Sequence, residues 1–533
     1  MDKKPLVLVI LDGWGEWSVG MGNAILNANL PTIDRLNKYY PKIFLQASGL
    51  SVGLPWGVKG NSEVGHQTIG TGQIIFQYLP TIDMAIRNKT FYENKTLLEA
   101  IRLAKKNNKK IHILGLLSDG GVHSHINHLL ALIDVCREQT FDNFFVHAIT
   151  DGRDTSFKSA KKYLSILENH LETIKMGKLA TISGRYYTMD RNNNWDRIEK
   201  AFKSLAHGDG ILEKNVDDAL DNQYKKEVFD EFLEPINLVD DSNNPIGLIE
   251  EGDIVVCFNF RKDRSRQIAR VFVDQNFSEF LNTELINDVN FYSFSEYDEN
   301  LDLNIIFPPQ KITSYIGKEI ANAKKNQLRI AETEKYAHVT YFFNGGLEDP
   351  FINEDRIIIP SRRVKNYADA PEMSADKITE KVLENLDKDK YDFILLNYAN
   401  PDMVGHTGDL EAAIKAIEKV DSCLGKIIDR VFELEGKLLI TSDHGNVEKM
   451  IDPITYEKDT EHSTNSVPCW LASIDHIREE ALQKMPSSKK IDGMIVDIAP
   501  TVLELLNIVK PNDMVGISLL NLFKKKIKNP LLY

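Results

Sequence analysis

The sequence predicts an α/β protein, a doubly wound sheet domain with a second α/β domain inserted into it, and three observations carry that prediction. The runs "LVLVIL", "FILLNYANPD" and "LLITSDHG" are apolar and lead into Asp12, Asp402 and Asp443. Continuous apolar runs of this kind are what a parallel sheet covered on both faces requires. Between the second and third runs, Ile414, Ile417, Val420, Leu424, Ile427, Ile428 and Val431 recur at helical spacing and make one apolar face. The middle of the chain holds strand-like runs of its own, "KIHILGLLSDGG", "NFFVHAITDGRD", "KLATISGRYY" and "DIVVCFNFRKDR", each ending in polar residues.

Taken in order, Leu6 to Leu11 is the first strand. Its six apolar residues are too few for a signal segment and Asp12 follows at once, so a cytoplasmic chain is expected. The stretches "FQYLPTID" (76 to 83) and "IIFPPQKI" (305 to 312) both contain proline and are the expected crossings. They set a first part over 1–77, an insertion over 78–309 and a second part over 310–533, with a double linker suited to a hinge. Asp409 is placed to cap the helix before the third run and Gly436 to stop it. "DDSNNP" (240 to 245) reads as a surface turn and the basic tail "FKKKIKNPLLY" as a solvated end.

A chain of 533 residues exceeds one hydrophobic core, consistent with two domains. Its formal charge of −14 argues against a general nucleic-acid or anionic-membrane surface, so an anionic substrate would need a local cluster of Arg and Lys. No apolar stretch approaches the roughly 20 residues of a membrane span. Cys136, Cys257, Cys423 and Cys469 are widely separated, which fits reduced core thiols and neither a disulfide framework nor a cysteine zinc site.

Ser62 lies in "GNSEVGH", a glycine-rich stretch whose G-x-S-x-x-G spacing is one residue longer than the α/β-hydrolase elbow. By itself it reads as a turn serine or a nucleophile. Carboxylates and imidazoles at strand ends suit divalent cations. "NPDMVGHTG" offers Asp402 and His406, four apart on either a helical turn or a loop; "TSDHGN" offers Asp443 and His444, and "DTEHSTNSVP" offers His462. Arg153, Arg185, Arg191, Arg261 and Arg264 follow apolar runs of the middle portion, where guanidinium forks would grip carboxylate or phosphate. His123 and Asp154 are placed to exchange protons with a hydroxyl substrate, and Asp154 equally to orient Arg153.

The ordered motifs "LDGWG", "GNSEVGH", "LSDGGVHSH", "TDGRD", "SGRYYTMDR", "NFRKDR", "EKYAHVTYFFNGG", "LNYANPDMVGHTG", "SDHGN" and "EHSTNSVP" closely resemble the cofactor-independent phosphoglycerate mutases of the alkaline phosphatase superfamily. The resemblance spans nearly the whole chain. It implies an alkaline-phosphatase-like metal domain interrupted by a transferase domain, and two divalent ions, Mn²⁺ by expectation, with no 2,3-bisphosphoglycerate. It makes Ser62 the nucleophile. One ion would be held by Asp12, Ser62, Asp443 and His444, the other by Asp402, His406 and His462. His123, Arg153, Asp154, Arg185, Arg191, Arg261, Arg264 and Lys335 would contact phosphoglycerate, with Asp154 and Lys335 assisting Ser62 in catalysis. A monomer with a small-molecule substrate is expected.

A metal-dependent phosphatase or another phosphomutase of the superfamily would share the metal motifs, but has less reason to carry the arginine motifs that retain an alcohol. A non-catalytic sensor would tolerate loss of Ser62 or of a ligand, and none is lost. A serine-triad hydrolase is compatible with the residue types and not with the elbow spacing.

Overall fold

Leu6–Leu11 forms a fully buried strand inside an eight-stranded sheet. It pairs in parallel with Phe393–Tyr398 on one side and Lys437–Thr441 on the other, so the three acid-terminated runs are immediate neighbours. Val7, Val9 and Leu11 enter one apolar cluster, with the helices Ala375–Leu386 and Leu410–Glu433; Leu6, Leu8 and Ile10 enter another on the opposite face. A strand with helices on both sides has no solvent face, which explains its unbroken hydrophobicity.

The computed structural model describes residues 3–280, 283–478, 481–482 and 490–528. The chain divides into two units, Met1–Gln77 with Lys311–Tyr533, and Tyr78–Gln310. In the first, Gln327–Glu332 and Glu354–Ile359 continue the parallel part of the sheet. Beyond Lys437–Thr441 the sheet becomes mixed: Val467–Ala472 runs antiparallel to both that strand and Lys42–Gln46. "VPCWLA" is as buried as its neighbours, and hydropathy alone does not encode its direction.

The long helix runs from Leu410 to Glu433, and the Asp409 side chain accepts from the Ala412 amide at 3.0 Å. It ends earlier than Gly436 suggested. Glu435 takes the left-handed turn (φ 52°), while Gly436 is required by close approach, since a Cβ there would lie 2.6 Å from the Pro5 carbonyl oxygen. The tail also differs from expectation: Leu520–Lys528 is helical and buries Phe523 completely. Residues 529–533 of that tail lie outside the described residues.

The second unit has its own eight-stranded sheet. Ile111–Leu116 pairs in parallel with Phe144–Thr150 and Ile254–Cys257, and Phe144–Thr150 with Lys178–Gly184. These are the four runs of the middle portion, and beyond their carboxyl ends lie His123, Arg153, Asp154 and Arg261 in loops and Arg185 at the start of the helix Arg185–Thr188. Pro80, expected in a linker, instead lies within the helix Tyr78–Arg87. All four cysteines are buried and unpaired. Among the described residues no helix is long and apolar enough to cross a membrane.

Candidate active site

Ser62 is the first residue of the helix Ser62–Thr71, capped by the Asn61 side chain, which accepts from the Val64 amide. The backbone amides of a first helical turn and the helix dipole make such an end favourable for an anion. The helix can approach the sheet because residue 65 is glycine: a Cβ there would lie 2.8 Å from Asp443 Cβ. Ser62 Oγ is buried, 2.7 Å from Lys335 Nζ, 2.9 Å from His444 Nε2 and 3.2 Å from Asp12 Oδ1. The far nitrogen of His444 faces the Gly445 carbonyl at 3.3 Å. That partner is a carbonyl, and among the described residues no carboxylate pairs with Nδ1, so the geometry is not that of a Ser-His-Asp triad.

Lys335, on the short helix that follows Gln327–Glu332, reaches Asp12 Oδ1 at 2.8 Å and Asp402 Oδ2 at 2.6 Å. Burial alone would discharge this ammonium, but Asp12, Asp402 and Asp443 overcome it and raise the Lys335 pKa. Reciprocally, burial pushes Asp12 and Asp402 up, and Lys335 with the neighbouring imidazoles holds both well below the ordinary carboxylate range. Burial lowers His444, yet Asp443, Asp12 and Asp402 outweigh it and raise the imidazole to about 9.

Among the described residues two groups of side chains could hold a metal ion: Asp12, Asp443 and His444, and Asp402, His406 and His462. Asp402 and His406 are on a helical turn, Asn400–Gly405 with Pro401 at its start, which puts the pair four apart on one face. His406 Nδ1 faces the Thr460 carbonyl and His462 Nδ1 the Gly60 carbonyl, both at 2.8 Å. Carbonyls only accept, so in each neutral ring Nδ1 carries the proton and Nε2 presents a lone pair. Those two Nε2 atoms lie 3.0 Å apart, each 3.2 Å from Asp402 Oδ1. Such a convergence of donor atoms is one that a divalent cation would satisfy. In the other group Asp443 Oδ2 is buried without a hydrogen bond, although His66 Nδ1 is 3.1 Å away. Oxygen and imidazole donors together fit a borderline divalent ion.

Several residues of the site escaped the sequence reading. Asn397 Nδ2 donates to Asp12 Oδ2 at 2.7 Å and lies 3.0 Å from His66 Nε2, while His66 Nδ1 donates to the Ser62 carbonyl at 2.8 Å. His66 thereby links the turn of Ser62, through Asn397, to Asp12. Asn446 Nδ2 donates to Asp402 Oδ1 at 3.0 Å. The only advance signal for Asn397 was a lone amide inside an apolar run.

In the inserted unit, Arg185 Nη1 lies 2.6 Å from both Asp151 Oδ1 and Asp154 Oδ2. Asp154 therefore pairs with Arg185 rather than orienting Arg153, whose Nη1 is 3.6 Å from Glu231. Asp151, also missed, accepts from the Arg153 and Asp154 amides and shapes the "TDGRD" loop. Arg261 and Arg191 both contact Asp263, at 2.9 and 3.3 Å, and Arg264 donates to the Met189 carbonyl. Burial and then the charges of Arg185, Arg191 and Arg153 lower the Arg264 pKa, the signature of a cationic cluster that an anion would relieve. His123, 3.7 Å from Asp154 Oδ2, is lowered to about 4 by burial and by Arg185, so it is neutral near pH 7.

A helix-terminal serine flanked by a lysine and by two carboxylate–imidazole groups, at the carboxyl ends of a doubly wound sheet, defines the alkaline-phosphatase-like class. Comparison with known proteins narrows this. Residues 82–299 match the family model described as the BPG-independent PGAM N-terminus, and residues 311–480 match type I phosphodiesterase / nucleotide pyrophosphatase. The 2,3-bisphosphoglycerate-independent phosphoglycerate mutase of Clostridium perfringens is 47% identical over 98% of this chain and 100% of its own. That of Clostridioides difficile is 46% identical with the same coverage. A crystal structure of Leishmania mexicana phosphoglycerate mutase at low cobalt concentration aligns with a TM-score of 0.52 and 29% identity, covering 97% of each chain. The chain belongs to the family of 2,3-bisphosphoglycerate-independent phosphoglycerate mutases.

Proposed function

We propose that this protein interconverts 3-phosphoglycerate and 2-phosphoglycerate in glycolysis and gluconeogenesis, without 2,3-bisphosphoglycerate, through a phosphorylated Ser62. The observation that carries the reading is the setting of Ser62 Oγ, held among Lys335, Asp12 and His444 at a helix N-terminus. Two divalent ions, Mn²⁺ in our reading, belong to Asp12, Ser62, Asp443 and His444, and to Asp402, His406 and His462. Bound there, they would lower the pKa of the serine hydroxyl and neutralise phosphoryl charge.

Ser62 Oγ attacks phosphorus and bonds to it as the bond to the substrate's 3-oxygen breaks. The proton given up by the serine hydroxyl ends on that oxygen, which becomes the 3-hydroxyl of glycerate; the return transfer runs the same exchange in reverse, a proton ending on Ser62 Oγ. Lys335 supplies positive charge at the attacking oxygen, where electrostatic stabilisation is the main catalytic requirement of phosphoryl transfer. His123, Arg153, Arg185, Arg191, Arg261 and Arg264 retain the glycerate, whose 2-hydroxyl then attacks the phosphoserine. Asp154 takes the proton of that hydroxyl, and Ser62 Oγ leaves as the new ester forms. Retention of an alcohol by a cationic cluster favours a mutase over a phosphatase, which has no use for it. We read the protein as a cytoplasmic monomer.

Enolase-coupled turnover of 3-phosphoglycerate by metal-stripped protein, without 2,3-bisphosphoglycerate, tests this reading. Activity is expected on addition of Mn²⁺ and not in its absence. Release of inorganic phosphate with no 2-phosphoglycerate would make the protein a phosphatase.

A further inference from the structure

We infer that Glu448 is a positioning residue that sets the geometry of the cation-binding groups by tying three ligand-bearing loops to one buried carboxylate. Its side chain is fully buried. It accepts from the Gly15 amide at 3.0 Å, the Asn446 amide at 2.8 Å, Asn465 Nδ2 at 2.9 Å and the Ser463 hydroxyl. Those donors come from the loop after Leu6–Leu11, which begins with Asp12; the loop after Lys437–Thr441, which holds Asp443 and His444; and the loop of His462.

The surroundings are built around this carboxylate. A Cβ on either Gly15 or Gly445 would overlap its oxygens. Ser463 also donates its amide to the Gly445 carbonyl at 2.9 Å, and Val447 donates to the Gly13 carbonyl at 3.2 Å, so the same loops are stitched by backbone on each side of Glu448. Among the described residues no Lys, Arg or His pairs with the carboxylate; four neutral donors hold it. A fully buried carboxyl group held by four donors is an expensive way to fill space, and it offers acceptor sites in several directions that an amide cannot match. Glutamine at this position would present a donor to donors and release at least one loop.

The inference rests on the ligand assignment made above, and outer contacts of this kind typically govern about 10–100-fold in metal affinity. The test is equilibrium titration of the chelator-stripped full chain with Mn²⁺, followed by paramagnetic resonance of the free ion, together with the visible spectrum of Co²⁺-loaded protein. Glu448→Gln should lose about tenfold or more in Mn²⁺ affinity and change the cobalt bands, and Ser463→Ala should shift both in the same direction by less. If Glu448→Gln fails to fold, Ser463→Ala and Asn465→Ala, which leave the carboxylate in place, decide the matter. His462→Ala, removing an assigned ligand, should abolish one binding event. Wild-type isotherms and cobalt spectra in the Glu448, Ser463 and Asn465 variants, with His462→Ala impaired, would overturn this inference alone. Unchanged binding in His462→Ala would overturn the ligand assignment and this inference with it.

Discussion

Ser62→Ala is expected to lower mutase turnover by about 10⁴-fold or more, as removal of a covalent nucleophile does when no other group can replace it. The loss should fall on kcat. The substitution removes one hydroxyl at the start of a helix and leaves Lys335 paired with Asp12 and Asp402, so the protein should fold and still bind phosphoglycerate. Coupled turnover alongside equilibrium binding of 3-phosphoglycerate checks both parts. Turnover near the wild-type rate would exclude a phosphoserine route.

Lys335→Met, which keeps the side chain's length and removes its charge, should act on both stability and catalysis. Asp12, Asp402 and Asp443 surround the ammonium, and all three are buried. Removing one partner of a buried ion pair leaves uncompensated charge, which costs about 3–5 kcal/mol. Metal-free protein should therefore lose about that much stability, and Mn²⁺ should restore a large part of it, because cations held by the proposed ligands would neutralise the same carboxylates. Loss of the positive charge at Ser62 Oγ should lower turnover by about 10²–10³-fold even at saturating metal. Denaturant unfolding with and without Mn²⁺, beside coupled turnover, measures the two effects. Equal destabilisation in both conditions would contradict the shared role of lysine and metal at these carboxylates.

Much of this fold was legible in the sequence for a specific reason. Strands covered on both faces must be apolar throughout, so "LVLVIL", "FILLNY" and "KLLIT" announce themselves, and the first polar residues beyond them mark where ligands bind. The residue types at those ends, Asp12, Asp402, His406, Asp443 and His444, are ones that the structure gathers, with His462, into groups able to hold a metal ion, and the ordered motifs carried the family. The direction of Val467–Ala472 was not legible, because burial is the same in either orientation. Neither was the helical tail around Phe523, whose charged residues mask one buried ring. Asn397, Glu448 and Asp151 were invisible for a different reason. Each has a partner far away in sequence, as Asn397 has in Asp12, 385 residues apart, Asp151 in Arg185 and Glu448 in Gly15, and no local spacing records such contacts.

The central claim is that the phosphoryl group passes through Ser62, and rapid-quench mass spectrometry of the Mn²⁺-loaded protein mixed with 3-phosphoglycerate tests it most directly. A transient phosphopeptide carrying the modification on Ser62, formed and consumed at rates no slower than turnover, is the predicted result. Full turnover with Ser62 unmodified at every quench time, or phosphate on a different residue, would contradict it.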